Sequence, residues 1–173
     1  MAREKEVTLI TGGCRSGKST FALQLAQEWE AKTFIATAEP LDEEIRARIQ
    51  RHRASRGSGY ETIEEPRYLD RALKSVTRGV CVIDCLTGWV GNLMKYRGDP
   101  EDESYPEIDA LIEALRMPPC EVILVTHELG MGMVPGGYSE RKYRDVVGRM
   151  NQRIAALSQA AYLCVSGLPV RLK

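Results

Sequence analysis

The stretch Gly12-Gly13-Cys14-Arg15-Ser16-Gly17-Lys18-Ser19 follows directly on the apolar run Val7-Thr8-Leu9-Ile10 and leads directly into a helical pattern. It has the form G-x-x-x-x-G-K-S, a Walker A loop. A strand that ends this way and continues into a helix turns several backbone N–H groups toward one point, which suits the α- and β-phosphates of a nucleotide. Lys18 adds a positive charge able to follow the β- and γ-oxygens during transfer, and the Ser19 hydroxyl is placed to ligate the Mg²⁺ that bridges them. Gly12 and Gly17 allow backbone angles and close approaches that a Cβ would forbid.

A second carboxylate belongs with this loop. Gly79-Val80-Cys81-Val82-Ile83-Asp84 is a continuous apolar strand ending in Asp84, a Walker B pattern. Alone, four apolar residues before an Asp describe any buried strand end. Downstream of a Walker A loop they place a Mg²⁺-directed carboxylate beside the phosphates.

Around these two motifs the chain alternates. A helix over about 17–30 carries Ala22, Leu25, Ala26 and Trp29 on one face, and residues 32–37 read as a second strand. Asp42 is a candidate cap for the next helix, whose face carries Ile45, Ile49 and His52 amid Arg46, Arg48, Arg51, Arg53 and Arg56, and Gly57-Ser58-Gly59 stops it. Tyr60-Glu61-Thr62-Ile63 is a short strand; helices over about 67–75 and 85–96 flank the Asp84 strand. The acidic stretch 98–103 reads as a solvated loop, 105–116 as a helix ended by Pro118-Pro119, and 121–126 as a buried strand.

Residues 130–137 are too rich in glycine for a helix and too apolar for an ordinary linker; they read either as a flap over a large, partly apolar ligand or as a structured connection. Ser139 is the expected cap of the longest helix, with Tyr143, Val147, Met150, Ile154 and Leu157 along one seam. Two strands over 162–166 and 169–172, joined at Gly167-Leu168, form a C-terminal hairpin. The sum is an α/β fold of the three-layer P-loop NTPase type, a mainly parallel sheet with helices on both faces and ligands at the C-terminal ends of the strands.

At 173 residues the chain suits one nucleotide-binding domain over 1–173. With 24 basic and 24 acidic residues it has no net charge to draw nucleic acid or an anionic membrane. The five cysteines lack C-x-x-C spacing and lie mostly in apolar runs, so they read as buried thiols of a cytoplasmic protein. The N-terminal apolar run is short, and neither a signal peptide nor a membrane span is expected.

Several further stretches carry a resemblance. Phe34-Ile35-Ala36-Thr37-Ala38, Arg48-Ile49-Gln50-Arg51-His52-Arg53, Asp84-Cys85-Leu86-Thr87, Glu128-Leu129-Gly130-Met131-Gly132 with Val134-Pro135, Tyr143-Arg144-Asp145 with Gly148 and Asn151-Gln152, and Gly167-Leu168-Pro169 follow the Walker loop in order. Together they resemble the bifunctional adenosylcobinamide kinase and adenosylcobinamide-phosphate guanylyltransferase family of cobalamin synthesis.

The resemblance implies two reactions. A nucleoside triphosphate, ATP or GTP, phosphorylates the hydroxyl arm of adenosylcobinamide; then GTP transfers GMP to an enzyme histidine with release of pyrophosphate, and the phosphorylated corrinoid takes the GMP to give adenosylcobinamide-GDP. It places the guanylylated histidine at His52. It carries nucleotide contacts to residues 12–19, to Ala36, Thr37 and Ala38, to Arg53, Ala54, Ser55 and Arg56, to Glu64 and to Asp84, and it implies a homo-oligomer, a trimer. From the residues alone, His52 on an apolar helix face reads more readily as a packed histidine, though a neutral imidazole among arginines is a competent nucleophile toward an α-phosphate. His127, the other histidine, suits a hydrogen-bonding role.

Two readings compete with the bifunctional one. A single-activity small-molecule kinase would use the arginine-rich helix only as a phosphate clamp. A nucleotide-gated switch would need a guanine-reading N-K-x-D motif, which the chain lacks. Two departures from the family touch packing: Cys14 stands where the family has a small residue, and Gly88 and Gly91 replace bulkier ones and are expected to loosen their helix.

Overall fold

The computed structural model describes residues 5–39, 43–57, 59–100 and 104–173; the side chains at 44, 45, 48, 51, 52, 55 and 56 also lie outside the description. Among the described residues seven strands form one sheet: β1 (Val7–Gly12), β2 (Lys32–Ala36), β3 (Glu61–Glu64), β4 (Val80–Asp84), β5 (Glu121–Val125), β6 (Ala160–Val165) and β7 (Leu168–Arg171). Their order is β3-β2-β4-β5-β1-β6-β7, and every neighbouring pair is parallel except the hairpin β6–β7. Between them run α1 (Lys18–Leu25), α2 (Glu43–Arg56), α3 (Leu69–Ser75), α4 (Leu86–Arg97), α5 (Pro106–Arg116) and α6 (Tyr138–Leu157).

Strand alternation divides the core in two. Leu9, Cys81, Ile83, Val122 and Leu124 point to one face, where they pack with Leu73 of α3, Trp89 of α4, Leu111 of α5 and Ile154 of α6. Ile10, Val80, Val82, Ile123 and Val125 point to the other, where Ala22 of α1 and Ala26 cover them. Central strands buried on both faces explain why the sequence shows continuous apolar runs there. All C-terminal ends of the parallel strands open on one edge of the sheet, as expected for this layered fold.

Several local expectations change. The helix over 17–30 is α1 followed by a 3₁₀ turn at Ala26–Glu28, so Trp29 lies beyond it in extended backbone. Ser139 does not cap α6: Gly137 holds that position, and the Ser139 hydroxyl bonds Asp99 Oδ2 at 3.1 Å. The hairpin turns at Ser166 and Gly167, one residue earlier than expected, with φ of 52° and 83°. Consecutive positive φ values are those of the tight turns that match strand twist. Gly88 and Gly91 lie within an intact α4, and a Cβ added at Gly91 would meet the Tyr143 ring at 3.9 Å, an ordinary contact. The expected cap Asp42 and the acidic positions 101–103 lie outside the described residues. Cys81, Cys120 and Cys164 are buried thiols, but Cys14 is exposed and Cys85 half-buried; all five are free.

Candidate active site

The phosphate loop leaves β1 at Gly12 and enters α1 at Lys18. Three residues take left-handed or related angles, Gly12 (φ 148°), Arg15 (φ 55°) and Gly17 (φ 93°), and these bend the backbone into a cup. A Cβ on Gly12 would collide with the Cys164 carbonyl oxygen, and one on Gly17 would come within 3.0 Å of Gly167 Cα. The loop is thus seated against the β6–β7 hairpin. The Gly167 N–H donates to the Ser16 carbonyl at 3.0 Å, and on the other side the Glu128 N–H donates to the Gly12 carbonyl at 3.1 Å.

Lys18 is only 5% exposed. Its ammonium folds back on the loop, donating to the Gly13 carbonyl and, at 3.4 Å, to Ser16 Oγ. Burial holds its pKa below the usual lysine range, and the Asp84 carboxylate pulls it partly back. The Asp84 charge thus acts on Lys18 across the sheet, where β5 lies between β1 and β4. Sequence reasoning placed Asp84 directly beside the loop; the intervening strand is a long-range pairing with no local signal.

Around the strand ends, Ala36 pairs with both Glu64 and Asp84 in the sheet register, so three of the expected nucleotide-contact positions lie side by side. Thr37 is buried and its hydroxyl serves Cys85, accepting from its N–H at 3.0 Å and donating to its carbonyl at 2.9 Å. Asn92 Nδ2 donates to the Thr37 carbonyl at 2.8 Å and to that of Pro66 at 3.1 Å. Thr37 therefore organises the end of β4 with its side chain, while Ala38 beyond it is exposed. Asn92, in the middle of α4, carried no sequence signal for this role.

Arg53 of α2 reaches Glu64 at the end of β3, Nη2 to Oε1 at 3.5 Å, joining two more of the expected positions in an exposed ion pair; Ala54 beside it is exposed. His52, Ser55 and Arg56 belong to the same helix, but their side chains lie outside the described residues. His127 is tied into a polar network behind the site. Its N–H donates to Thr87 Oγ1 at 2.7 Å and its carbonyl accepts from Asn151 Nδ2 at 3.0 Å, while Thr126 Oγ1 donates to Asn151 Oδ1 at 2.8 Å.

The exposed side of the loop opens on a cleft of about 280 Å³ lined by residues 13–16, Glu128, Met131 and residues 163–166. The cup and this cleft share residues 13–16. A family model described as cobinamide kinase / cobinamide phosphate guanyltransferase matches residues 8–172.

The chain belongs to that family.

Among relatives of the cobinamide kinase and guanyltransferase family, the bifunctional adenosylcobalamin biosynthesis protein CobU of Escherichia coli (strain K12) is 39% identical over 178 residues, covering 95% of this chain and 98% of the relative. The corresponding protein CobP of Pseudomonas aeruginosa is 42% identical over 168 residues, covering 95% and 96%. Among solved structures, a prototypical ATPase from the type III secretion system of pathogenic bacteria superposes with a TM-score of 0.53 at 10% identity, covering 96% of this chain and 56% of the ATPase. That likeness concerns the fold alone. It agrees with the P-loop NTPase-type α/β fold expected from the two Walker motifs.

Proposed function

We infer that this chain performs both reactions of its family: phosphorylation of cobinamide by a nucleoside triphosphate, then transfer of GMP from GTP to the phosphorylated corrinoid. The observation that carries the kinase half is the buried Lys18 within a cup of left-handed backbone at the end of β1, linked electrostatically to Asp84. The backbone N–H groups of residues 13–19 hold the phosphates. The Lys18 ammonium exchanges its internal acceptors for the β- and γ-oxygens, and the acceptor hydroxyl attacks the γ-phosphorus as the bond to the β-phosphate oxygen breaks.

Mg²⁺ fits the donors at hand. Among the described residues no group of three or more His, Cys, Asp or Glu side chains could hold a metal by itself. One hydroxyl, Ser19, and one carboxylate, Asp84, are the hard oxygen donors that leave Mg²⁺ most of its positions for phosphate and water. When bound, the ion neutralises charge developing between the β- and γ-phosphates.

For the transfer half we propose His52 as the residue that carries GMP. Its support is the Arg48-Ile49-Gln50-Arg51-His52-Arg53 motif and the density of guanidinium groups on α2, which suit charge developing on phosphate oxygens. Ala36, Ala38, Arg53, Ala54, Ser55, Arg56 and Glu64 are the proposed nucleotide contacts on that side, with the Thr37 backbone among them.

The whole acts as one domain. We propose a homo-oligomer, trimeric by resemblance, supported by the exposed apolar Leu168 and Val170 of edge strand β7. A reducing, cytoplasmic setting is supported by five free cysteines; no helix among the described residues is long and apolar enough to cross a membrane.

The deciding experiment exposes the protein to GTP labelled at the α-phosphate. An acid-labile, alkali-stable label that vanishes in His52→Ala is expected. Absence of covalent label in the wild type would reduce the assignment to a kinase.

A further inference from the structure

We propose that the loop after β5 carries the docking site for the corrinoid body, with Met131, Met133 and Val134 forming an apolar platform at the mouth of the phosphate-loop cleft. The proposal rests on the kinase reading above and adds where the acceptor is held.

Three observations lead to it. The side chains are held out in solvent, Met131 79% exposed, Met133 94% and Val134 69%. Contiguous large apolar side chains on a surface mark contact sites, and methionine in particular moulds itself to irregular apolar faces.

The backbone beneath them is nevertheless fixed. The Gly130 N–H donates to Glu128 Oε1 at 2.7 Å, Arg144 Nη2 donates to the Gly130 carbonyl at 2.7 Å, and Arg141 Nη1 donates to the Pro135 carbonyl at 3.1 Å and to that of Gly136. Two arginines of α6 thus pin the loop at both ends, so the exposed side chains are displayed from a built support.

The third observation is continuity. Met131 lines the same cleft as residues 13–16 and, across it, Val165. A kinase must bring the acceptor hydroxyl to the γ-phosphorus, whose place is set by the cup around Lys18. A corrinoid is a broad macrocycle edged with methyl groups and amide arms. With its hydroxyl arm in the cleft, the ring must rest at the cleft mouth, where these residues offer apolar area. Of the other exposed apolar residues, Val165 also lines the cleft, Met117 precedes β5 at the opposite edge of the sheet, and Val170 lies on the edge strand. The loop is therefore a structured connection that also takes part in binding, combining the two readings its composition allowed.

The test is the double variant Met131→Ser/Met133→Ser, compared with Met131→Leu/Met133→Leu. Kinase rates are measured while cobinamide and ATP are varied separately, and cobinamide binding is followed by its visible absorbance in equilibrium dialysis. The serine variant is expected to raise the KM for cobinamide about tenfold or more, the scale of lost apolar contacts in a binding site. The KM for ATP should stay within twofold of wild type, and the leucine variant should restore cobinamide binding.

An unchanged cobinamide KM in the serine variant, with an active wild type, overturns the docking site and leaves the kinase reading intact. A wild type that binds cobinamide through these residues yet never phosphorylates it overturns the kinase reading instead. A fall in the sedimenting mass of the serine variant, with cobinamide binding unaltered, assigns the platform to a second copy of the chain and also overturns the proposal.

Discussion

The Thr37 hydroxyl bridges both peptide groups of Cys85, taking the N–H at 3.0 Å and giving its own proton to the carbonyl at 2.9 Å. One side chain at the end of β2 thereby sets the backbone immediately after Asp84 on β4. Replacing it with valine keeps the volume and deletes both bonds, stranding buried peptide groups at a cost of about 1–3 kcal/mol. We predict that Thr37→Val lowers the free energy of unfolding in urea by that amount, with a lower midpoint, and reduces the kinase kcat, while Thr37→Ser stays within about 1 kcal/mol of wild type. Equal midpoints for the valine and serine proteins would refute the bridging role.

Gly17 faces two obstacles to substitution, a φ of 93° and the Gly167 Cα at 3.0 Å from where a Cβ would stand. Left-handed backbone costs a non-glycine residue about 1–2 kcal/mol before any contact is counted. Gly17→Ala is expected to weaken nucleotide binding by at least about tenfold, the equivalent of 1.4 kcal/mol. Titration with a fluorescent nucleotide measures this, and circular dichroism should show the sheet retained. Wild-type affinity in the alanine variant would contradict the packing of loop against hairpin.

Lys18 supplies a pH dependence. Burial lowers the pKa of its ammonium, so the proton is lost at a lower pH than from a solvated lysine. The kcat/KM for the nucleoside triphosphate should be complete below that depressed pKa and fall as pH rises through it, earlier than an ordinary lysine would allow. Stability moves the other way. Between the folded and unfolded pKa values the unfolded chain binds more protons, so raising pH through that window relieves the cost of the buried ammonium. In Lys18→Arg, whose guanidinium stays charged, the fall in kcat/KM should disappear at a lower overall rate. Persistence of the fall would assign it to another group.

Arg53 and Glu64 separate structural from functional roles. Their side chains are 60% and 65% exposed at 3.5 Å, and a pair so open to water stabilises a fold by about 0–1 kcal/mol. Arg53→Ala should therefore leave the melting temperature almost unchanged. If Arg53 contacts GTP as proposed, the same variant should raise the KM for GTP in the guanylyl transfer by about tenfold, the scale of a lost charged hydrogen bond. A variant with wild-type GTP kinetics would remove Arg53 from the nucleotide site.

What could be read from the chain beforehand was whatever depends on neighbours in sequence. The phosphate loop, the apolar run into Asp84 and the paired terminal strands are local patterns, and each is found as expected. The insertion of β5 between β1 and β4 is decided by which strands pair, and periodicity along one strand carries no information about its partner. Ser139 illustrates the same limit. It has the right chemistry for a cap, but Asp99, far away in sequence, claims its hydroxyl, and the cap falls two residues earlier, at Gly137. Thr37 shows it again: nothing local in the sequence announces the Cys85 peptide that the fold brings against its hydroxyl.

The buttressing of the phosphate loop by the hairpin turn has a temporal consequence. The cup leaves the ribosome about 150 residues before the Gly167 N–H that bonds it and the Cys164 carbonyl against which Gly12 packs. A nascent chain should thus stay blind to nucleotide until β6 and β7 have emerged and closed the sheet, a long-range pairing that is slow to form. Chains stalled before β6 should fail to retain GTP on a filter, and retention by them would mean that the cup shapes itself unaided.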